Sequence, residues 1–170
     1  MITLDITDMY VNLPIDGITG TTKFWLNRNS NNTEQMKQQT LNVITTLIEQ
    51  NYFQYNDKLY QPTKGIAMGS PLSSTMAEIY IQYFENLHIK HWLESTEIIF
   101  YKRYVDDIFI IYDTSKTNEP DICKEINNID PHLQFKLTTE INNTITYMDL
   151  AISRGDDDLE LSIYRKPIET

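Results

Sequence analysis

Two adjacent aspartates, Asp106 and Asp107, lie in the segment RYVDDIFIIY (103–112), between two runs of strand-forming residues. Neighbouring carboxylates repel each other, and burying charge beside aliphatic side chains is costly. A third aspartate, Asp5, lies in the apolar segment ITLDI (2–6). Carboxylate oxygens suit Mg²⁺, which binds through one or two of them together with substrate phosphates. We therefore expect the three aspartates to hold two Mg²⁺ ions, an arrangement that serves in-line phosphoryl displacement.

Each acidic segment also has a simpler interpretation. Asp-Asp pairs are common in hairpin turns, where they are usually only solvated, and Asp5 could begin a turn into TDMYVNLP. The run RGDDD (154–158) lacks the ligand spacing of a calcium loop and predicts a solvated turn. His88 and His91 have no third ligand in the sequence, so we interpret them as a surface pair rather than a zinc site.

The loop KGIAMGSPLSS (64–74) is a second candidate for chemistry. Gly65 and Gly69 permit close approach of the backbone, and Ser70 and Pro71 open a predicted helix. A helix start attracts a phosphate or a stacked base pair. The motif alone is weakly specific, because Gly-Ser-Pro also begins many ordinary helices.

The elements that must position these residues predict an α+β fold, with helices on one face of a mostly antiparallel sheet. We expect strands at 2–6, on both sides of Asn56-Asp57, at 98–105 and 108–112 with the acidic pair between them, and at 133–140, 144–153 and 159–165. We expect helices at 33–50, at about Leu72–Leu93, and over Ile122–Ile129 before Asp130-Pro131.

The helix at 33–50 has the clearest periodicity, with Asn32 as its predicted N-cap. Its predicted apolar face consists of Met36, Thr40, Val43, Ile44, Leu47 and Ile48.

Composition limits the classes of function. The 170 residues are 41% hydrophobic, which suits one globular domain with a core. The net charge of −10 argues against a simple nucleic-acid-binding module and is compatible with a domain whose acidic groups hold divalent cations, or with one part of a larger binder. The single Cys123 excludes an internal disulfide. Without a membrane-length apolar run or a secretory signal, we expect an intracellular protein, with the nucleus among its compartments, that is neither secreted nor bound to a membrane.

Together these segments resemble the palm of a reverse transcriptase, and most closely that of the Penelope-like retroelements. The resemblance lies in the first palm motif, LDITDMYVNLP (4–14), the second motif with its hairpin (53–85), the aspartate-pair motif RYVDD (103–107), and the later strands and thumb start at 133–140, 147–152 and 161–167. The order and spacing of three motifs are specific, whereas YVDD alone is only suggestive. The resemblance implies a polymerase palm with a ferredoxin-like (RRM-like) fold over 1–160, followed at 161–170 by the start of the thumb and primer grip.

The resemblance also implies roles for single residues. Asp5 and Asp106 would ligate both Mg²⁺ ions, with Asp107 as a weaker ligand. The carbonyl of Ile6 would complete the coordination shell of one ion. Mn²⁺ could substitute for Mg²⁺. Tyr104, which strand alternation would place on the same face as Asp106, would abut the primer end. Tyr10 would lie under the incoming sugar, where it would exclude a 2′-hydroxyl. Gly69, Ser70 and Pro71 would border the templating base pair. Arg165 and Lys166 would contact the primer strand.

This sequence also departs from the family. Many relatives have glutamine where this chain has Gly65, and no lysine follows the TT strand at Glu140–Asn143 to protonate pyrophosphate. Lys136 is nearby, but strand geometry could point it away, so the general acid stays unassigned. The resemblance implies that the fingers and most of the thumb lie outside this chain, which would account for the acidity, and we expect this chain alone to polymerise poorly or not at all.

Three functions remain open. The first is an RNA-directed DNA polymerase palm from a retrotransposon protein, in which a DNA primer on an RNA template attacks a deoxynucleoside triphosphate. The second is a non-catalytic remnant that acts as a binding or scaffold domain. The third is a palm polymerase that copies RNA into RNA, against which Tyr10 argues, because such an enzyme would more often have a small or polar residue there.

Overall fold

The computed structural model describes residues 1–28, 31–94, 97–155 and 158–165. The strands are β1 (Ile2–Ile6), β2 (Phe53–Tyr55), β3 (Lys58–Tyr60), β4 (Ile98–Tyr104), β5 (Asp107–Tyr112), β6 (Phe135–Thr139), β7 (Thr144–Tyr147), β8 (Leu150–Arg154) and β9 (Leu159–Ile163). The α-helices are α1 (Met9–Asn12), α2 (Ile15–Arg28), α3 (Glu34–Glu49), α4 (Ser73–Phe84), α5 (Lys90–Glu94) and α6 (Glu119–Asn127). The predicted α+β class is therefore confirmed.

The chain forms two compact units. The first consists of Met1–Thr7 together with His88–Thr170, and the second is Asp8–Leu87.

The first unit contains a four-stranded antiparallel sheet in the order β4-β5-β1-β6. The strand β1 therefore lies in the interior of the sheet, although β4, β5 and β6 all follow it by more than ninety residues. Helical segments connect β1 to β4, and α6 connects β5 to β6. This order of strands and helices is ferredoxin-like, as predicted.

The two faces of this sheet are covered differently. On one face, side chains of β1 and β5, such as Leu4 and Ile108, form a core with Ile122 and Ile126 of α6 and with Ile89. On the other face, Phe109 packs against Ile145 and Ile152, which belong to the three-stranded sheet β7-β8-β9. Strand alternation thus separates a helix-covered face from a face covered in part by strands.

The second unit is mainly helical. The helix α2 packs against both α3 and α4, and the indole nitrogen of Trp25 donates a hydrogen bond to the carbonyl of Ile79 at 3.2 Å. The ring of Phe24 packs edge-on against Tyr83, with centroids 4.9 Å apart. The hairpin β2-β3 has Asn56-Asp57 at its turn, as predicted, and both turn residues have positive φ.

Two helix predictions need correction. The sequence did not predict α2, whose interior contains Gly17, Gly20 and several threonines that are weak helix formers. The N-cap of α3 is Thr33 rather than Asn32, because the Thr33 hydroxyl accepts the backbone N–H of Met36 at 3.3 Å.

The predicted apolar face of α3 is also partly wrong. Met36, Val43 and Leu47 are exposed, whereas Leu41 and Ile48 are buried. The principal packing partner of α3 is α2, so a narrow apolar stripe is enough to bury its contact face.

Two other predicted elements are each divided into shorter elements in the structure. The helix predicted at Leu72–Leu93 is α4, a π-helical turn at Glu85–Ile89 and then α5. The segment 144–153 is the hairpin β7-β8 rather than one strand, because Met148 adopts a φ of +55° and turns the chain.

Candidate active site

The predicted acidic residues converge where β1 and β5 end. Asp5 lies directly opposite Asp107 in the β1-β5 register, and the backbone N–H of Ile6 donates to the carbonyl of Asp106 at 3.0 Å. Residues directly opposite each other on antiparallel strands have Cβ atoms about 4.5–5.5 Å apart on one face of the sheet. Asp5 and Asp107, separated by about a hundred residues of sequence, therefore share one face of the sheet, and Asp106 directly precedes Asp107 in the chain.

The same register continues across all four strands. Tyr104 is opposite Asp107, and Lys136 is opposite Asp5. We call these four residues the acidic rung: Tyr104, Asp107, Asp5 and Lys136. Their side chains share the face of the sheet that is turned away from α6, because their neighbours Leu4 and Ile108 belong to the helix-covered core. The strand register thus places Lys136 on the same face as Asp5, while the general acid for pyrophosphate stays unassigned.

The turn of the acidic hairpin consists of Val105 and Asp106, and Asp107 is already the first residue of β5. Strand alternation therefore does not apply to Asp106, and the aspartate that shares a face with Tyr104 is Asp107. Asp5 is exposed, and Asp106 and Asp107 are half-buried. Asp5 is exposed although its segment is apolar, because its side chain projects from the non-helical face at the end of β1.

The backbone at the tip of this hairpin is strained. Val105 has a φ of +55°, which is rare for a β-branched residue. The guanidinium of Arg103 donates a hydrogen bond to the Val105 carbonyl at 2.9 Å. Such conformations cost about 1–3 kcal/mol and cluster at functional sites, where the surrounding structure maintains them.

Tyr147 supports the hairpin from β7. Its hydroxyl donates a long hydrogen bond of 3.5 Å to the carbonyl of Asp107, and its ring centroid lies 5.5 Å from that of Phe109. Burial raises the pKa of the Tyr147 hydroxyl, and the nearby Asp107 carboxylate raises that pKa further. Sequence reasoning did not single out Tyr147, because an aromatic residue in a strand gives no local sign of a long-range contact.

The acidic rung offers few protein ligands to a metal ion. Within the described ranges, no three His, Cys, Asp or Glu side chains are placed to hold a metal ion by themselves. The rung supplies two facing carboxylates, with Asp106 beside them. This set fits Mg²⁺ that takes one or two carboxylates and completes its shell with phosphate oxygens, and does not fit a cage built of protein ligands alone.

Four predicted site residues belong to the second unit, namely Tyr10, Gly69, Ser70 and Pro71. Tyr10 is half-buried in α1, and its carbonyl accepts the backbone N–H of Ile66 at 2.8 Å. Gly65 has a φ of +76°, and a Cβ added there would lie 2.5 Å from the Val11 carbonyl oxygen and 2.6 Å from that of Tyr10. The close contact with α1 therefore leaves no room at position 65 for the glutamine that the family resemblance would lead one to expect.

The Gly-Ser-Pro segment precedes α4. Gly69 has a φ of +93°, with open space around an added Cβ. The Ser70 hydroxyl accepts the N–H of Leu72 at 3.4 Å, and the Ser70 carbonyl accepts that of Ser73 at 3.1 Å. Gly69 and Pro71 are exposed and Ser70 is half-buried, so this turn presents its surface to solvent just before the helix.

Of the two residues predicted to grip the primer, the structure describes one. Arg165 is exposed and follows β9, and Lys166 lies outside the described residues. The helices of the described ranges all lack the combined length and apolarity that crossing a membrane needs.

Solved structures with a similar fold are telomerases. The chain superimposes on apo telomerase from Candida tropicalis, truncated from its C-terminal domain, with a TM-score of 0.72 and 18% identity over 95% of this chain and 35% of the telomerase chain. It superimposes on Candida tropicalis telomerase in complex with a TWJ fragment of telomeric RNA with a TM-score of 0.75 and 17% identity, over 94% of this chain and 29% of that one. For the corresponding Candida albicans complex, the TM-score is 0.64 and the identity 13%, over 94% of this chain and 31% of the other.

These likenesses show a shared fold, because the identities are low. This chain spans about a third of the length of the telomerase chains. No protein-family model and no curated protein matches the sequence. The assignment to the Penelope-like branch therefore stays a prediction.

Proposed function

We propose that this chain is the palm of an RNA-directed DNA polymerase, of the Penelope-like retroelement type. The reaction is attack of a primer 3′-hydroxyl on the α-phosphate of a deoxynucleoside triphosphate, which forms a phosphodiester bond and releases pyrophosphate. The observation that carries the proposal is the register that places Asp5 opposite Asp107, with Asp106 hydrogen-bonded through its carbonyl to Ile6. The shared fold with telomerase supports it.

The residues of the first unit would divide the work. Asp5, Asp106 and Asp107 would hold two Mg²⁺ ions, with the Ile6 carbonyl as a further ligand. When bound, these ions would activate the primer hydroxyl and neutralise the leaving pyrophosphate. Tyr104 is 59% exposed beside Asp107, where a primer end could contact its ring.

Two features of the hairpin preorganise these carboxylates. The Arg103 guanidinium holds the strained Val105 carbonyl, and the Tyr147 hydroxyl contacts the Asp107 carbonyl. Both contacts are made to backbone carbonyls, so they fix the backbone that carries the aspartates. Such positioning matters because displacement of a reacting group by about 1 Å can cost a factor of a hundred in rate.

The proposed partners are an RNA template, a DNA primer and deoxynucleoside triphosphates. One of the telomerase structures with this fold is a complex with an RNA fragment, which supports a nucleic-acid partner. The proposed roles of Gly69, Ser70 and Pro71 at the templating pair, and of Arg165 and Lys166 at the primer, belong to this proposal. So do fingers and thumb regions supplied from outside this chain, and a location inside the cell.

Primer extension tests the proposal. The longest natural polypeptide that contains this chain should extend oligo(dT) on poly(rA) in Mg²⁺ or Mn²⁺. Asp106→Asn should abolish extension, whereas the matched control Asp16→Asn, an exposed aspartate in α2, should leave it unchanged. Absence of extension by the unsubstituted polypeptide would favour a non-catalytic remnant.

The sugar selectivity of the same polypeptide separates DNA from RNA synthesis. If the Tyr10 ring lies under the incoming sugar, Tyr10→Ala should increase incorporation of ribonucleotides relative to deoxynucleotides. Preference of the unsubstituted polypeptide for ribonucleotides would instead identify an RNA-making palm.

A further inference from the structure

Lys136 occupies a position that neither the sequence motifs nor the proposed metal ligands explain. The β1-β6 register places it directly opposite Asp5, and the β1-β5 register places Asp107 on the other side of Asp5. All three side chains project from the same face, since Phe135 and Leu137 on either side of Lys136 pack against the helix-covered core. A lysine thus lies in line with two facing carboxylates.

The side chains of this line are accessible to one another. Lys136 and Asp5 are both exposed, and Asp107 is half-buried. In the part of the chain that the structure describes, no ion pair joins Lys136 to Asp5, so the ammonium is not committed to one geometry. A lysine stem has four flexible carbons, so its ammonium can approach either the carboxylates or a group that binds above them.

We propose that Lys136 is a positioning residue that acts as a movable counter-charge to the Asp5–Asp107 pair. In the absence of nucleotide, its ammonium offsets the two carboxylates and weakens their hold on a divalent cation. When a triphosphate arrives, its anionic oxygens attract the ammonium away, and the carboxylates and phosphates bind the cation together. The inference rests on the proposed function, because it assumes that the rung is the metal-binding site.

The expected size of the effect follows from Coulomb's law. For an ammonium roughly 6 Å from a divalent ion in water, removal of the ammonium should tighten binding about threefold at physiological ionic strength. Salt screens the repulsion between the ammonium and the cation. The gain in cation affinity on removal of the ammonium should therefore rise to about sevenfold at 0.01 M salt and fall below about 1.5-fold at 1 M.

Binding of Mn²⁺ to the 170-residue chain, measured without nucleotide from the electron paramagnetic resonance signal of free Mn²⁺, tests this inference. Lys136→Met should bind Mn²⁺ about threefold more tightly than the unsubstituted chain. Lys136→Arg, which keeps the charge, should restore the original affinity. Lys124→Met removes the same charge from α6, on the opposite side of the sheet, and should change nothing.

The outcomes separate this inference from the proposed function. Equal Mn²⁺ affinity in the unsubstituted chain and in Lys136→Met, with binding lost in Asp5→Asn, overturns the role of Lys136 and leaves the metal site standing. A threefold gain that persists at 1 M salt also overturns it, because a change in structure rather than in charge would then be the cause. No Mn²⁺ binding to the unsubstituted chain at millimolar concentrations overturns the inference and removes support for the proposed function as well. Matched thermal unfolding curves establish that the variants are folded.

Discussion

Val105 carries backbone strain at the point where the acidic hairpin turns. A β-branched residue at a φ of +55° brings its Cβ close to the backbone, and a hairpin turn of two residues would ordinarily use asparagine or glycine there. The hairpins at Asn56-Asp57 and Asn142-Asn143 do use such residues at positive φ. The acidic hairpin, in contrast to these two, places a β-branched residue at positive φ at a cost in local stability, which is typical of a site shaped by function.

Replacement of Val105 by asparagine should therefore stabilise the chain. Asparagine tolerates the left-handed region, so Val105→Asn should raise the free energy of unfolding by about 1 kcal/mol, measured by urea denaturation. The matched control is Val43→Asn on the exposed face of α3, where the backbone is helical and the same substitution should be slightly destabilising. Destabilisation of similar size at both positions would mean that Val105 is not strained.

Gly65 and Gly69 have similar backbone conformations but different surroundings. Gly65→Ala should cost more than about 3 kcal/mol of unfolding free energy, because the new methyl group would overlap two carbonyl oxygens of α1 in addition to the strain of a positive φ. Gly69→Ala has open space around its Cβ and should cost only the strain, about 1–2 kcal/mol. Equal losses in urea denaturation would contradict the close packing of Gly65 against α1.

Asp5 and Asp107 should destabilise the chain when no cation is bound, because like charges directly opposite each other on a sheet repel and the mobile ammonium of Lys136 offsets only part of that repulsion. Asp5→Asn should raise the free energy of unfolding by about 0.5 kcal/mol in a chelating buffer. The gain should shrink when millimolar Mn²⁺ is added, since the cation stabilises only the chain that retains both carboxylates. Thermal unfolding with and without Mn²⁺ measures both effects, and a gain that does not depend on Mn²⁺ would argue against a cation at the rung.

At the level of elements, Glu140 connects the end of β6 to β8. Its carboxylate is 2.7 Å from the guanidinium of Arg154 and 2.8 Å from the amino group of Met1. Burial alone would raise the pKa of the Glu140 carboxyl, but the Met1 amino group and Arg154 outweigh burial and lower that pKa below its ordinary value. The ionised form of Glu140 is therefore the one that stabilises the folded state.

The stabilisation by Glu140 should depend on pH. Because the folded pKa lies below the unfolded one, the contribution is complete at neutral pH and is lost as the pH falls from about 4.5 through the folded pKa. Arg154→Met should lower the free energy of unfolding by about 1 kcal/mol at pH 7 and by less at pH 3, measured by urea denaturation. Lys116→Met breaks the more exposed pair with Asp113 and serves as the control, with a smaller expected loss. An equal loss for Arg154→Met at both pH values would show that packing, rather than charge, is the cause.

The sequence predicts those elements that form because of their local residue pattern. It does not predict elements that form because of contacts with distant segments. Alternating apolar residues identified β1, β4, β5 and β6, and Asp130-Pro131 identified the end of α6. The helix α2 was missed because its glycines and threonines are weak helix formers, while its buried Ile18, Thr21 and Thr22 depend on tertiary packing. The three aspartates were recognisable as candidates, but the position of Lys136 beside Asp5 is a matter of strand register between distant segments.

At the level of the whole molecule, the net charge of −10 limits what this chain can do alone. The affinity of nucleic-acid binders depends on basic groups that displace counterions from phosphates. The chain has 14 lysines and arginines against 24 aspartates and glutamates. We therefore expect strong binding of a template-primer duplex to require basic surfaces from outside this chain.

The isolated chain should bind an RNA–DNA duplex with a dissociation constant weaker than about 0.1 mM at physiological salt. Fluorescence anisotropy with a labelled duplex measures this affinity. Micromolar binding would contradict the expectation and would point to a local basic surface, which Arg165→Ala would then test.

The interior position of β1 determines when the sheet can form. The ribosome makes Asp5 roughly a hundred residues before Asp107 and still earlier relative to β6, so β1 has neither neighbouring strand while the intervening residues are made. Its pairing must close a loop that contains the whole Asp8–Leu87 unit, a step that is entropically costly and slow for contacts so distant in sequence. A nascent chain that ends before β5 therefore lacks the carboxylate pair altogether, and the metal-binding geometry arises only when the last strands of the sheet have left the ribosome.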